Sequence, residues 1–373
     1  MYLIEGTGGG AVTHVLNLAK RLPRGNVQCF VVFFLNGPSV QVAKETDLET
    51  RTVRWRFPLD FTLMWRLKRE IERERIEIVH THTITGNFYA RMAALLCRRP
   101  IKLVTTVHSW LRDELEGPSA VRLRDYLRFK RELLTSGWVS QFISVSEAIK
   151  ERMLVFGIPE EKIEVIENGI ELPELSLTDV HNRSVREEFD IRNDEILVAT
   201  IGRMVPVKNH HLFLQAAQRV LEERSGVKFL LIGDGLLLDS LKRRARDLNI
   251  EKYAIFTGWR NDIHRFLCAL DILVLCSTVE GLNMSVLEAM AHAKPVIGTD
   301  VRGIRDIVRD GQTGILVPPN NVDMLAQSML KLIENRTGAR EMGLKGRQRV
   351  EREYSVQRMV SRVVSIYEKL GPH

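Results

Sequence analysis

Two patterns of apolar residues alternate along this chain. Short, continuous apolar runs are separated by longer stretches in which apolar positions recur every three or four residues. The runs predict strands buried on both faces, and the spaced stretches predict amphipathic helices. Strands are expected at the opening residues 1–6 and at 27–34, 77–80, 103–108, 142–146 and 163–166. A second set is expected at Ile196–Ile201, 229–232, 254–256, Ile272–Leu275, 295–298 and 315–317. Helical spacing is clearest over His210–Glu223 and 236–248. Strand and helix in alternation predict a doubly wound α/β fold with parallel sheets.

The alternation breaks once, from Leu172-Pro173-Glu174 to Asn182, where the chain is polar and holds a proline. A length of 373 residues also exceeds one ordinary core. Two Rossmann-like domains are therefore predicted, 1–178 and 179–353, with 354–373 as a closing segment. Ligands of such sheets bind at the carboxyl ends of the strands. Two facing sheets with one interdomain cleft are the expectation. No solenoid-period repeat or low-complexity tract interrupts the pattern.

Composition narrows the class. Hydrophobic residues at 45% and charged residues at 27% suit a globular protein. No apolar run approaches the roughly 20 residues that cross a bilayer, and the opening lacks a basic leader region. A cytoplasmic location is expected. Cys29, Cys97, Cys268 and Cys276 form no CxxC pair and are expected to act as small core residues, without disulfide or zinc. The net charge of +7 is concentrated between 51 and 131 and favours anionic partners. Nucleic acid is disfavoured, because no zinc finger, RNP-type aromatic motif or basic tail accompanies the charge. The stretch from Val121 to Arg131, with Trp138, is basic and amphipathic. It suits a core helix with a solvated basic face, or a helix on an anionic membrane surface with Arg122 to Arg131 as the contact.

Three segments carry candidate chemistry. In Ile201-Gly202-Arg203-Met204-Val205-Pro206-Val207-Lys208-Asn209, a strand ends in glycine and two cations precede a helix. That arrangement favours a phosphate, although a solvated basic turn has the same look. Gly233-Asp234-Gly235 follows another strand but falls short of GxGxxG, and reads as a tight turn capped by Asp234. From Ser277 to Met290, a loop carries Glu280 and a helix opening near Met284 carries Glu288. The unpaired first-turn amides of that helix can grip a diphosphate. Glu280 would then face whatever the diphosphate carries, and Glu288 would reach a ribose diol.

Glu280 and Glu288 form E-x7-E, and the stretch EGLNMSVLEAMAHAKPVIGTDVRGIRDIVRDGQTGILVPP, residues 280–319, closely resembles the signature of the GT-B retaining glycosyltransferases of family 4. The resemblance extends to Gly202-Arg203 with Lys208, Ile232-Gly233-Asp234-Gly235 and Thr257-Gly258-Trp259. It also covers Glu167-Asn168-Gly169-Ile170, and Gly9-Gly10-Ala11 with His14. It implies that Arg203 and Lys208 bind the donor diphosphate, that Glu280 lies by the donor sugar and that Glu288 holds the ribose. It further implies donor contacts from Gly202, Gly233, Gly258 and Trp259, and from Asn283, Met284 and Ser285. Family members usually read EGFG where this chain reads EGLN, so Asn283 adds a side chain beside the donor. Gly9 and Gly10 match a loop that approaches the donor from the other side, and His108 matches a histidine on the donor sugar. His14, His80 and His82 are assigned to acceptor contacts. The segment from Tyr354 to Tyr367 resembles the family's closing helix, which crosses back to the N-terminal domain.

The resemblance implies a retaining transferase in which the leaving phosphate accepts the acceptor's proton. No DxD motif or metal-ligand spacing is present, so neither metal nor cofactor is expected. The expected reaction moves a hexose from a UDP-sugar, or next from GDP-mannose, to a glycan or lipid-linked acceptor in cell-surface polysaccharide or glycoconjugate synthesis. A sugar-nucleotide epimerase of the same layout and a non-catalytic nucleotide-sugar-binding protein are the rival readings. Retention of Arg203, Lys208 and Glu280 favours the transferase, and the missing GxGxxG disfavours a nicotinamide dehydrogenase.

Overall fold

A computed structural model describes residues 1–4, 10–22, 28–34, 40, 43, 48–55, 60–108, 123–174 and 178–371. The chain forms two compact units, Met1–Gly169 with Val356–His373, and Ile170–Ser355. The unit borders thus fall at 169/170 and 355/356, where the sequence suggested 178/179 and 353/354. The polar stretch after Leu172 leads into the helix Thr178–Glu188 of the second unit, so polarity marks a helix approach and not the crossing itself. Ile170 and Ser355 form a parallel bridge, and the Ile170 amide donates to the Tyr354 carbonyl at 2.8 Å.

The first unit is built on seven parallel strands. They are β1 (Tyr2–Ile4), β2 (Phe30–Phe33), β3 (Glu49–Thr52), β4 (Ile78–Thr81), β5 (Lys102–Val107), β6 (Gln141–Ser144) and β7 (Ile163–Val165). Their order is β3-β2-β1-β4-β5-β6-β7, so the winding reverses between β1 and β4. Strand β3 lies at the sheet edge and reads Glu-Thr-Arg-Thr, which no apolar pattern reveals. Its Arg51 pairs with Glu70 of the helix Thr62–Arg73 and with Glu74, the residue that caps its end, at 2.7 Å each. The closing helix Val356–Leu370 buries Val356, Met359, Val360, Val363, Ile366 and Tyr367. That three-and-four spacing is one helical stripe. It enters the core of the first unit beside Val15 and Leu18 of the helix Gly10–Arg21 and Val31 and Phe33 of β2.

The second unit has six parallel strands in the order β10-β9-β8-β11-β12-β13. These are β8 (Ile196–Ile201), β9 (Val227–Ile232), β10 (Ala254–Gly258), β11 (Ile272–Leu275), β12 (Val296–Thr299) and β13 (Gly314–Val317). Every residue of the neighbours β8 and β11 is buried, as continuous apolar runs require. The winding reverses between them, and such a switch point opens a crevice beyond the strand ends. The loop after β8 carries Arg203 and Lys208, and the loop after β11 carries Glu280. The expected α/β fold with two parallel sheets is what the chain adopts. Among the described residues, no helix is long and apolar enough to cross a membrane.

Candidate active site

In the second unit, backbone bonds lock the loop after β9 to the loop after β8 and to the end of β10. The Met204 amide donates to the Asp234 carbonyl at 2.9 Å, and the Gly233 amide to the Gly258 carbonyl at 3.0 Å. Gly233 has φ +137°, and a Cβ there would lie 2.1 Å from the Gly202 carbonyl oxygen, so only glycine fits. Gly202, Gly233 and Gly258 therefore pack strand ends together. Arg203 stands exposed on this base. Its carbonyl accepts from Nε2 of His210, the first residue of the helix His210–Glu223, at 3.1 Å. Trp259 follows β10 with its side chain exposed.

Glu280 is held by three donors, all on Oε1: Lys208 Nζ at 2.5 Å, Ser277 Oγ at 2.6 Å and Asn283 Nδ2 at 2.7 Å. The two loops are also joined directly, because the Thr278 amide donates to the Val207 carbonyl at 2.8 Å. Asn283 is the N-cap of the helix Met284–Ala291, and its Oδ1 accepts from the Val286 amide at 3.2 Å. One buried side chain thus caps the helix and orients the carboxylate. The asparagine in EGLN therefore has work inside the protein, where the sequence suggested only an extra group beside the donor. Beneath the loop, Gly303 has φ +85°, and a Cβ there would come 2.6 Å from the Gly281 carbonyl oxygen. The amides of Met284 and Ser285 have no acceptor among the described residues. They leave an open helix start beside the Lys208–Glu280 pair, an arrangement suited to an anion.

Glu288 lies one turn into the same helix and is half-buried. Burial raises its carboxyl to about 7. Its backbone carbonyl accepts from Nδ1 of His292, just past the helix end, at 2.7 Å.

In the first unit, four histidines gather where the winding reverses. His80 lies on β4, His82 just past it, His108 just past β5 and His14 on the helix Gly10–Arg21. His82 Nδ1 meets His108 Nε2 at 3.2 Å, and the His14 ring packs 4.9 Å from that of His108. Burial is the main cause that lowers all four, His14 to about 4, and neighbouring histidines push His80, His82 and His108 down further. The cluster is therefore neutral at physiological pH. Both nitrogens of His80 are engaged, by the Tyr367 hydroxyl at 2.6 Å and by Thr106 Oγ1 at 2.7 Å, so His80 supports its neighbours and has no atom to offer an acceptor. Among the described residues, Nε2 of His82 has no hydrogen-bond partner, and the buried nitrogens of His14 have none of good geometry, although Asn168 lies beside His14. Such orphaned groups ask for a ligand or water.

One nitrogen from each of His14, His82 and His108 lies within 4.8 Å of the others. The fold thus assembles a histidine triad that no spacing in the sequence reveals. Ser277, His210 and Tyr367 mark only the ends of segments read from the sequence, and Gly303 lies inside the 280–319 stretch, but none of the four is given a role there. Gly10 opens the helix Gly10–Arg21, whereas Gly9 lies outside the described residues. Of the basic stretch, Arg122 and the side chains of 123–129 also lie outside them. Arg131 stacks over the Phe88 ring at 4.3 Å, which turns it toward the protein.

Comparison with known proteins places these features in context. The family model of the glycosyl transferases group 1 matches residues 182–349, and that of Glycosyltransferase Family 4 matches residues 8–174. The UDP-Gal:alpha-D-GlcNAc-diphosphoundecaprenol alpha-1,3-galactosyltransferase of Escherichia coli is 26% identical over 302 residues, covering 80% of this chain and 76% of that protein. The N-acetyl-alpha-D-glucosaminyl L-malate synthase of Bacillus anthracis is 26% identical over 314 residues, covering 83% and 79%. The crystal structure of Anabaena Alr3699/HepE in complex with UDP and glucose superposes with a TM-score of 0.85 over 98% of each chain, at 19% identity. At that identity the likeness is one of fold.

Proposed function

The chain belongs to the group 1 glycosyltransferases of the GT-B fold, and from that premise we propose that it transfers a hexose from a nucleotide diphosphate sugar, with retention and without a metal, to a glycan or lipid-linked acceptor. The observation that carries this reading is the open start of the helix Met284–Ala291 beside Lys208 and Glu280. The diphosphate binds the amides of Met284 and Ser285, with Arg203 and Lys208 as counter-charges. Oε2 of Glu280, which no described residue bonds, reaches the sugar. Glu288 binds the ribose. His14 and His82 of the first unit are neutral and carry nitrogens without a well-placed partner among the described residues, which suits sugar hydroxyls better than phosphates.

A UDP-hexose is the favoured donor, and GDP-mannose the next. The E. coli relative is named for UDP-Gal and a diphosphoundecaprenol acceptor, and the Anabaena protein was solved with UDP and glucose. A lipid-linked acceptor fits a cytoplasmic enzyme that touches the inner membrane face through the basic stretch 122–131, and a place in cell-surface polysaccharide synthesis. The test is release of free UDP or GDP from a panel of UDP-hexoses and GDP-mannose, with and without polyprenyl-diphosphate-sugar acceptors. Acceptor-dependent release is expected. Conversion of one nucleotide sugar to another without release would favour an epimerase, and binding without turnover would favour a non-catalytic protein.

A further inference from the structure

The helix Met284–Ala291 opens on the donor site, and at its other end lies a second cluster of histidine and cysteine. His264 and Cys268 stand one turn apart on the helix Ile263–Ala269, and His292 follows Ala291. Cys268 Sγ lies 3.8 Å from His264 Nε2, and His264 Nδ1 lies 2.6 Å from His292 Nε2. The sulfur and one nitrogen from each ring all lie within 4.8 Å of one another. His181, on the helix Thr178–Glu188, packs edge-on against His264 with ring centroids 5.1 Å apart. All four residues belong to the second unit.

The hydrogen bonds fix the protons. His292 Nδ1 can meet the Glu288 carbonyl only as a donor, at 2.7 Å, so its Nε2 presents a lone pair. Held this way by a backbone carbonyl, a ring resembles the histidines that ligate metals. His264 Nδ1 must then donate to His292, which turns the His264 Nε2 lone pair toward the Cys268 sulfur. Lys294 Nζ donates to the Cys268 carbonyl at 2.9 Å and supplies a nearby cation that favours the thiolate.

We propose that His264, Cys268 and His292 form a binding site for a borderline-soft divalent cation of the zinc type, distinct from the donor site. One sulfur and two imidazole nitrogens suit Zn²⁺ or Co²⁺ and exclude Mg²⁺ and Ca²⁺, which take oxygen ligands. A tetrahedral ion needs its nitrogens about 3.3 Å apart and nitrogen and sulfur about 3.6 Å apart. The His264–Cys268 spacing is already close to this. His264 binds through Nε2, so its Nδ1 hydrogen bond to His292 Nε2 must break to free the His292 lone pair, and the half-buried His264 is the ring with room to turn. On loading, the Cys268 thiol proton leaves to solvent, the His264–His292 hydrogen bond breaks while His264 Nδ1 keeps its proton, and the thiolate and the Nε2 lone pairs of His264 and His292 go to the ion. His181 or water takes the fourth position. Binding of the ion itself does not depend on the proposed transferase chemistry.

The test uses the full chain, stripped with chelator and titrated with Co²⁺. One equivalent should bind with a sulfur-to-cobalt charge-transfer absorption in the near ultraviolet, and Zn²⁺ but not Mg²⁺ should abolish that absorption. Cys268→Ser should remove the band. His264→Asn, at a half-buried position, should keep the metal-free melting temperature and weaken Co²⁺ binding about ten-fold or more. His14→Asn, which dismantles the histidine triad of the first unit, should leave the band intact. Absence of the band in the parent protein, its survival in Cys268→Ser, or unchanged Co²⁺ affinity in His264→Asn would overturn the proposal.

Discussion

Lys208 Nζ and Glu280 Oε1 lie 2.5 Å apart, joining the loops after β8 and β11 in one ion pair. The pair couples the proposed diphosphate cation to the proposed sugar carboxylate before any donor arrives. Lys208→Ala should lower kcat/KM by about 2–4 kcal/mol of transition-state stabilisation, and Arg203→Ala similarly. Glu280→Gln should lower kcat while free UDP binds at least as tightly, because Lys208 is released to the phosphates. In a double-mutant cycle the two losses should not add, since the residues touch. Strict additivity, measured by UDP release, would show the pair to be energetically idle.

Asn283 gives a second prediction. Asn283→Ala removes a helix cap, worth about 1 kcal/mol, together with one anchor of Glu280. Asn283→Gly should cost only a few tenths of a kcal/mol in stability, because glycine is tolerated at an N-cap. Both variants should lose kcat to a similar extent. Full activity in Asn283→Gly would mean that Ser277 and Lys208 suffice to hold the carboxylate.

Much of this was legible in the sequence because buried parallel strands and strand-end glycines leave local marks. β8 and β11 are continuous apolar runs, and the loops after them hold the motif residues. What escaped the sequence depends on contacts made far along the chain. His80 meets Tyr367, and Glu280 meets Lys208, through tertiary packing alone. The edge strand Glu49–Thr52 is polar and carries no period that an apolar pattern could reveal. His264 and Cys268 stand one turn apart on one helix, but the other members of the two histidine clusters come from separate strands and helices, so no spacing rule assembles either cluster.

Glu288 predicts a pH dependence. Burial raises its carboxyl from 4.5 to about 7, so the folded chain favours the protonated form. The stability this contributes is fully present below 4.5 and is lost as pH rises through about 7. Glu288→Gln, permanently neutral, escapes the loss. Its melting temperature should exceed the parent's at pH 8 and match it near pH 4.5. The same variant should weaken free UDP, since the ribose loses its carboxylate. A melting difference that does not vary with pH would remove Glu288 as the titrating group.

Metal independence of turnover is a separate expectation. Arg203, Lys208 and the amides of Met284 and Ser285 supply the charge that a bound ion would otherwise provide. Activity should be unchanged by EDTA and should not rise with Mg²⁺ or Mn²⁺. Loss in EDTA with recovery on Mg²⁺ would refute it.

The stereochemical outcome ties these residues together. Retention can arise by two displacements through a glycosyl-enzyme, or by reaction on one face with the leaving phosphate as base. The first route needs a carboxylate free to attack the anomeric carbon. Glu280 is poorly suited to attack: Ser277, Asn283 and Lys208 all hold Oε1, and hydrogen bonds to a carboxylate oxygen lower its nucleophilicity. Glu288 stands a turn inside its helix with its carboxyl partly protonated at neutral pH. The second route needs only positioning and charge stabilisation. An α-linked donor should therefore give an α-glycoside with no covalent sugar on the protein. Proton NMR of fresh product reads the anomer, and a β-glycoside would mean the reaction inverts. Intact-protein mass spectrometry after incubation with a slow, 2-fluoro nucleotide sugar reads the intermediate. A hexose adduct mapping to Glu280 would make that residue the nucleophile and replace the one-face route with a double displacement.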